Sequence, residues 1–360
     1  MLSGSDHAEA LHEASVTTPA ADVPDTPYDV YDIDGFLLFY LFRTQSPGES
    51  RPSWVRAAAD QAVGPAILSV DTPRSPWDPA VSMDRASALA SEQFEGTLGT
   101  PQLVCYSYPK IGVRIPVGDS DSVIYDAVSL ARVPEREPGN ESFGTWSFHQ
   151  TVVEPQVAER QEIWKRDNNR MTELGPIAGP ADVPAPAPPH VASRLIRYSP
   201  TCDSHDCFAL YRQETEIFCT VACAQMILDF YRYNFSQNDI ANQIGVQAGS
   251  PLPEDPAEKN AYEALSNGGL SATIQSPPIW DDAKAEIEAN RPFRDGIVGH
   301  ARVCTGWIEE SDATTGQILA RKLQLYDPWP ENPDPCAGGQ YVWERWETTT
   351  HTSFIYVRHP

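Results

Sequence analysis

Proline fixes φ and lacks a backbone N–H, so a proline-dense stretch joins neither a helix interior nor a sheet ladder. Pro176 to Pro189 holds six prolines in fourteen residues. A run of that density stays extended as a semi-rigid spacer. It divides a chain of 360 residues into parts that are each large enough to build a core. The division predicts a disordered tail over 1–27, an N-terminal domain over 28–174, the linker over 175–190 and a second domain over 191–360. The second domain is expected to fold without the first. A proline-rich ligand for another protein is the rival reading of the spacer, and no basic residue directly flanks it to support that role.

The hydrophobic patterning differs on the two sides. Before the spacer, short apolar stretches alternate with Pro and Gly. Phe36–Phe42, Ser69-Val70, Leu103–Tyr106, Ile111–Ile115, Val123–Tyr125 and Thr145–Phe148 predict strands, enriched in β-branched and aromatic residues. Arg51–Val63 predicts one short helix, and Val157–Met171 a longer one with Val157, Gln161, Trp164 and Asn168 at helical spacing. After the spacer, Cys219, Ala222, Cys223, Met226, Ile227, Phe230 and Tyr231 form an apolar stripe, which predicts a helix over Glu216–Tyr233. Ser236 with Asp239 opens a second helix as a cap. Asp281–Asn290 is a third, closed by Arg291-Pro292. Strands follow at Gly296–Val298, Ala301–Thr305, Leu323–Tyr326, Tyr341–Trp343 and Ser353–Val357. The expected class is α+β: a mainly β N-terminal domain, then a domain with helices first and an antiparallel sheet after.

Composition narrows the partners. With 26 basic against 50 acidic residues the net charge is −24, and nucleic acid and anionic membranes are excluded because phosphate binding runs on Lys and Arg. The apolar run Phe36–Phe42 is far shorter than the roughly 20 residues a spanning helix needs. The N-terminus shows no basic region followed by an apolar one, so no signal peptide is expected. Seven cysteines make an odd count in a large chain and fit a reducing compartment. The expected location is the cytoplasm, with leaderless export left open.

The chemistry concentrates after the spacer. Cys219 stands where the long helix starts, and free N–H groups and the helix dipole lower a thiol's pKa there. Gln213, six residues earlier, supplies an amide that with the Cys219 N–H would form an oxyanion hole. His300 begins a strand after Gly299, and Asp327 ends a later one before Pro328. A nucleophile on a helix, with base and orienting carboxylate on neighbouring strands, suits acyl transfer. Taken singly, each has a plainer reading: a small buried hydrophobe for Cys219, a core histidine for His300, a turn residue for Asp327. Cys223, one turn on, is the rival nucleophile, without a glutamine at the matching distance. Cys202, His205 and Cys207 invite zinc but lack a fourth ligand nearby; a loop or a Cys202–Cys207 disulfide is the alternative. Trp307 and Trp329 lie close enough in sequence to His300 and Asp327 to shield them from water.

The stretch from Gln213 through Cys219, Ala222, Cys223 and Met226 resembles the nucleophile segment of papain-like cysteine peptidases. It is most similar to the bacterial branch related to double-glycine leader-processing peptidases. The order continues with Arg291–Phe293, Gly299-His300, Thr305-Gly306 and Asp327-Pro328, so that the resemblance covers roughly Tyr198 to Val357. Thr220 departs from the glycine that often follows the nucleophile. The resemblance implies a papain-like second domain, a catalytic set of Cys219, His300, Asp327 and Gln213, a protein or peptide substrate, and no metal or organic cofactor. Residues 28–174 carry no motif; they are expected to be an inhibitory pro-region, acting by intramolecular inhibition, or a recognition module. A glutamine deamidase or acyl transferase with the same triad, and a non-catalytic peptidase-like binding protein, are the other readings.

Overall fold

The structure, a computed structural model, describes residues 27–44, 53–71, 77–118, 121–134, 145–152, 154–174, 189–196, 208–247, 253–330 and 339–360. The expected tail over 1–27, apart from residue 27, and most of the proline linker lie outside these residues, as does the Cys202–Cys207 motif. In the first half run β1 (Tyr28–Asp32), β2 (Leu37–Thr44), β3 (Ser53–Ala58), β4 (Ile67–Asp71), α1 (Pro79–Gln93), β5 (Gln102–Ser107), β6 (Lys110–Val117), β7 (Asp121–Asp126), α2 (Phe148–Thr151) and α3 (Glu154–Leu174). After the linker come β8 (His190–Leu195), α4 (Cys219–Phe230), α5 (Gln237–Ile244), α6 (Asp255–Leu265), β9 (Ser271–Gln275), α7 (Trp280–Glu288), β10 (Phe293–Ile297), β11 (His300–Ser311), β12 (Ile318–Asp327), β13 (Gln340–Arg345) and β14 (His351–Arg358). The class is α+β, built on one large mixed sheet.

That sheet has the strand order β7-β6-β5-β1-β2-β3-β4-β13-β12-β11-β10-β14-β9, with β8 paired to the far end of β11. Every described pairing is antiparallel except β1 with β5. Strands from before and after the linker meet where β4 pairs with β13, Val70 opposite Trp343. The cores meet as well: the cluster built on Leu38, Phe39, Trp54, Leu103 and Val113 also takes in Ile297 and Trp329 from beyond the linker. A second cluster gathers α4, α5 and α6 on one face of β11 and β14.

Two expected elements differ. Arg51–Val63 holds β3 rather than a helix; its residues Trp54, Val55, Arg56 and Ala57 are all buried between β2 and β4, and pairing on both edges overrides the helix propensity of its alanines. Thr145–Phe148 is not a strand, because the Ser147 hydroxyl accepts the Gln150 N–H and turns the chain into α2. Two helices escaped prediction, α1 and α6, although each opens with an acidic cap residue, Asp78 or Glu254, and a proline in its first turn. The Ser236 cap forms as expected, with Ser236 and Asp239 bonding reciprocally. Helix α4 is apolar nearly all round rather than along one stripe: among Cys219–Leu228 only Gln225 is not fully buried, as befits a central helix.

Candidate active site

Cys219 is the first residue of α4, and no side chain caps that helix start. The sulfur is completely buried. Burial alone would push its thiol up; the hydrogen bond and charge of His300, the charge of Lys110 and the Ala301 backbone N–H outweigh it and bring the thiol down to about 6. Cys223 lies on the same helix and goes the other way, pushed well up by burial and by the nearby Glu258 carboxylate. The helix start, not the helix interior, favours a thiolate.

His300 arrives through a two-residue turn between β10 and β11, where Ile297 faces His300. Gly299 occupies that turn at φ +74, a conformation that L side chains seldom adopt. A Cβ there would lie 2.5 Å from Trp146 Nε1 and 3.1 Å from Ser107 Oγ. The His300 Nε2 nitrogen meets Asp327 Oδ1 at 2.7 Å. Its Nδ1 has no nitrogen or oxygen partner and is left for the Cys219 thiol. Burial lowers the imidazole pKa, but the Asp327 carboxylate and Cys219 raise it above its ordinary value. Asp327 ends β12 and is fixed from two further sides: the Trp329 N–H donates to Oδ1 at 2.9 Å, and Gln340 Nε2 to Oδ2 at 3.3 Å. Burial raises this carboxyl, and His300, Arg302 and the Trp329 N–H more than reverse that, so it stays ionised.

Gln213 is buried beside the site, anchored by its own N–H on the Pro328 carbonyl at 3.0 Å. Its side-chain NH2 donates to the Thr215 and Glu216 carbonyls at 2.9 and 3.0 Å, and its Oε1 has no hydrogen-bond partner. The amide donors are therefore committed to the loop leading into α4. Trp329 packs edge-on against Trp77 and donates to Asp126 at 2.9 Å, which places it in the first core next to Asp327. Trp307 belongs elsewhere: it packs in a separate core with Trp280 and carries the Lys284 ammonium over its ring at 4.2 Å, so it does not shield the His300–Asp327 pair.

Residues of the first half of the chain pack against the site. The β5–β6 hairpin brings Tyr108 to β13 and Lys110 to the loop before α4. The Tyr108 hydroxyl donates to Glu344 at 2.7 Å, and Arg302 bridges Glu344 and Asp295 at 2.9 and 2.7 Å. Asp295 also holds His351 at 2.7 Å. Lys110, 3 % exposed, donates to the Glu216 carbonyl at 3.2 Å. No sequence signal marked Lys110 as part of the site; it is one of five lysines and stands far from every motif. Among the described residues no cluster of three His, Cys, Asp or Glu side chains suited to a metal occurs.

Residues 205–353 match the Peptidase_C39 like family. The expected resemblance to a peptidase family thus holds over this segment. No curated protein matches the chain. Among solved structures, a double glycine motif protease from an AMS/PCAT transporter, crystallised with the leader peptide, is 14% identical. That match covers 47% of this chain and 99% of that one, with a TM-score of 0.26. UfSP from C. elegans is 13% identical over 48% of this chain and 34% of that one, with a TM-score of 0.30. The chain thus spans about a third of the UfSP chain.

Proposed function

We propose that the chain is a cysteine peptidase in which Cys219 is the nucleophile, His300 the general base and Asp327 the carboxylate that orients it. One observation carries this reading: a thiol at an uncapped helix start, lowered to about 6, next to an imidazole whose other nitrogen is held by a buried carboxylate. His300 takes the Cys219 proton on Nδ1, and the thiolate attacks the peptide carbonyl to give a tetrahedral intermediate. Collapse of that intermediate releases the amine, protonated by His300, and leaves a thioester. Water, deprotonated by His300, then hydrolyses the thioester and restores the thiol. The Cys219 N–H and the Gln213 amide stabilise the oxyanion, and for Gln213 this requires its NH2 to leave the Thr215 and Glu216 carbonyls when substrate arrives.

In this reading the first half of the chain walls the site. Support comes from the burial of Cys219 and His300 in its presence and from the packing of Trp146 and Ser107 on Gly299. The test combines a thiol-directed electrophile with sequencing of new N-termini in a mixture of denatured proteins. Labelling of Cys219 and new N-termini, both lost in Cys219→Ala, are the expected results. Conversion of glutamine side chains without new N-termini would assign the same triad to deamidation, and no Cys219-dependent product of either kind would leave a binding protein.

A further inference from the structure

A cavity of about 210 Å³ lies where the two halves meet, lined by Tyr106, Lys110, Arg132, Gln213, Glu216 and Trp329, with Asp126 among its remaining walls. Its charges are unequal in what they can offer. Asp126 is saturated: Oδ1 accepts from the Val128 and Ser129 N–H groups and the Ser129 hydroxyl, and Oδ2 from the Tyr106 hydroxyl and the Trp329 indole. Glu216 is exposed, and its carboxylate reaches solvent. Lys110 is the reverse case, buried to 3 % exposure with its ammonium hydrogen bonded to a single backbone carbonyl. Among the described residues no carboxylate lies within ion-pair distance of it. A buried ammonium has three donors; the Glu216 carbonyl takes one, and the anion whose charge it feels is the Cys219 thiolate, so its other donors are open to a second acceptor.

The position of that ammonium is fixed by a shared acceptor. The Glu216 carbonyl receives both Lys110 Nζ at 3.2 Å and Gln213 Nε2 at 3.0 Å. The lysine ammonium therefore sits beside the glutamine amide, on a carbonyl three residues upstream of Cys219, at the edge of the place where a scissile carbonyl would bind.

We propose that this cavity is a substrate subsite for a carboxylate, an acidic side chain or the free C-terminus of a peptide next to the bond attacked, with Lys110 as its recognising cation. The peptide character of that ligand rests on the peptidase reading; the preference for a carboxylate does not. The N-terminal half then supplies a specificity residue to a site whose nucleophile and base lie after the linker. In a chain of net charge −24, acidic substrates are repelled at long range, so a local cation is the means by which one of them is accepted.

The test compares iodoacetate with iodoacetamide, reagents of similar shape that differ in charge, on the full-length protein, with labelling of Cys219 followed by mass spectrometry. Any effect of Lys110 on the thiol's own ionisation acts on both reagents equally and cancels in the ratio of their rates. The ratio of iodoacetate to iodoacetamide is expected to fall roughly tenfold in Lys110→Met, the size of one charge-assisted contact, and to be restored in Lys110→Arg. Thermal unfolding of both variants confirms that they are folded. A ratio unchanged in folded Lys110→Met overturns the subsite, and so does failure of both reagents to reach Cys219 in the folded protein. The expected ratios without any peptide hydrolysis would keep the carboxylate subsite and remove the peptidase reading instead.

Discussion

Replacing Asp327 by asparagine separates the charge of this residue from its geometry. Oδ1 accepts from His300 Nε2 at 2.7 Å and from the Trp329 N–H at 2.9 Å, and an asparagine oxygen can accept both. The new NH2 falls opposite Gln340 Nε2, which now donates to Oδ2 at 3.3 Å. Gln340 Oε1 has no hydrogen-bond partner, so a flip of that amide presents an acceptor to the new donor. The imidazole therefore keeps its orientation and loses only the adjacent charge. A hydrogen bond to an ionised group contributes about 1.5–3 kcal/mol against about 1 for a neutral one. The difference, about 0.5–2 kcal/mol, corresponds to about one pKa unit in the thiolate–imidazolium pair. The Cys219 inflection should move from about 6 to roughly 7. The assay is the pH–rate profile of iodoacetamide labelling at Cys219. Near pH 6 the thiolate fraction, and the rate with it, should fall about fivefold in Asp327→Asn, and near pH 8 the two proteins should react almost alike. Asp327→Ala removes the acceptor altogether and should slow labelling at every pH. An inflection that does not move in Asp327→Asn, or a profile for it that matches Asp327→Ala throughout, would refute the argument.

Four further outcomes follow from the same geometry. Cys223→Ala should keep Cys219 labelling and lose about 1–2 kcal/mol of stability to a small cavity, read by denaturant titration. Gly299→Ala places a side chain at φ +74 against Trp146; a lower Tm together with slower Cys219 labelling is expected, since the turn carries His300. Tyr108→Phe removes one donor from Glu344, which keeps Arg302 at 2.9 Å, so a stability loss of about 1 kcal/mol with an unchanged labelling inflection is expected. Residues 191–360 expressed alone would expose the β13 edge that β4 covers and the Trp329 ring. Self-association or a reduced Tm is expected by size-exclusion and thermal unfolding, and a monomer as stable as the full chain would count against a shared core.

The second half was more legible than the first because its elements carry local instructions. Ser236 and Asp239 specify a helix start within four residues, and Pro292 specifies a stop. Strands β10 to β14 are apolar runs bounded by turns. The first half misled where tertiary pairing decides: β3 is alanine-rich and looks helical until β2 and β4 flank it on both edges. The fusion of both halves into one sheet had no sequence signature either, since the pairing of Ser69–Asp71 with Val342–Glu344 joins strands far apart in the chain. The proline spacer marks a change in texture, and nothing in it says whether the strands on either side pair.

The site divides along the same line. Cys219, His300 and Asp327 could be read because each sits at an element boundary, where chemistry and local structure leave a common trace: helix start, strand start, strand end. Gln213 could be placed by its distance to Cys219, but the present use of its amide could not, because the competing carbonyls of Thr215 and Glu216 become visible only in three dimensions. Lys110 left no trace at all. Its role depends on a turn whose neighbour Tyr108 reaches Glu344, 236 positions away, and on the burial that this contact imposes. A cation in an acidic chain is ordinarily a solvated surface group; buried beside a low-pKa thiol, with one carbonyl as its hydrogen-bond partner, it becomes the feature that makes the first half of the chain matter to the chemistry of the second.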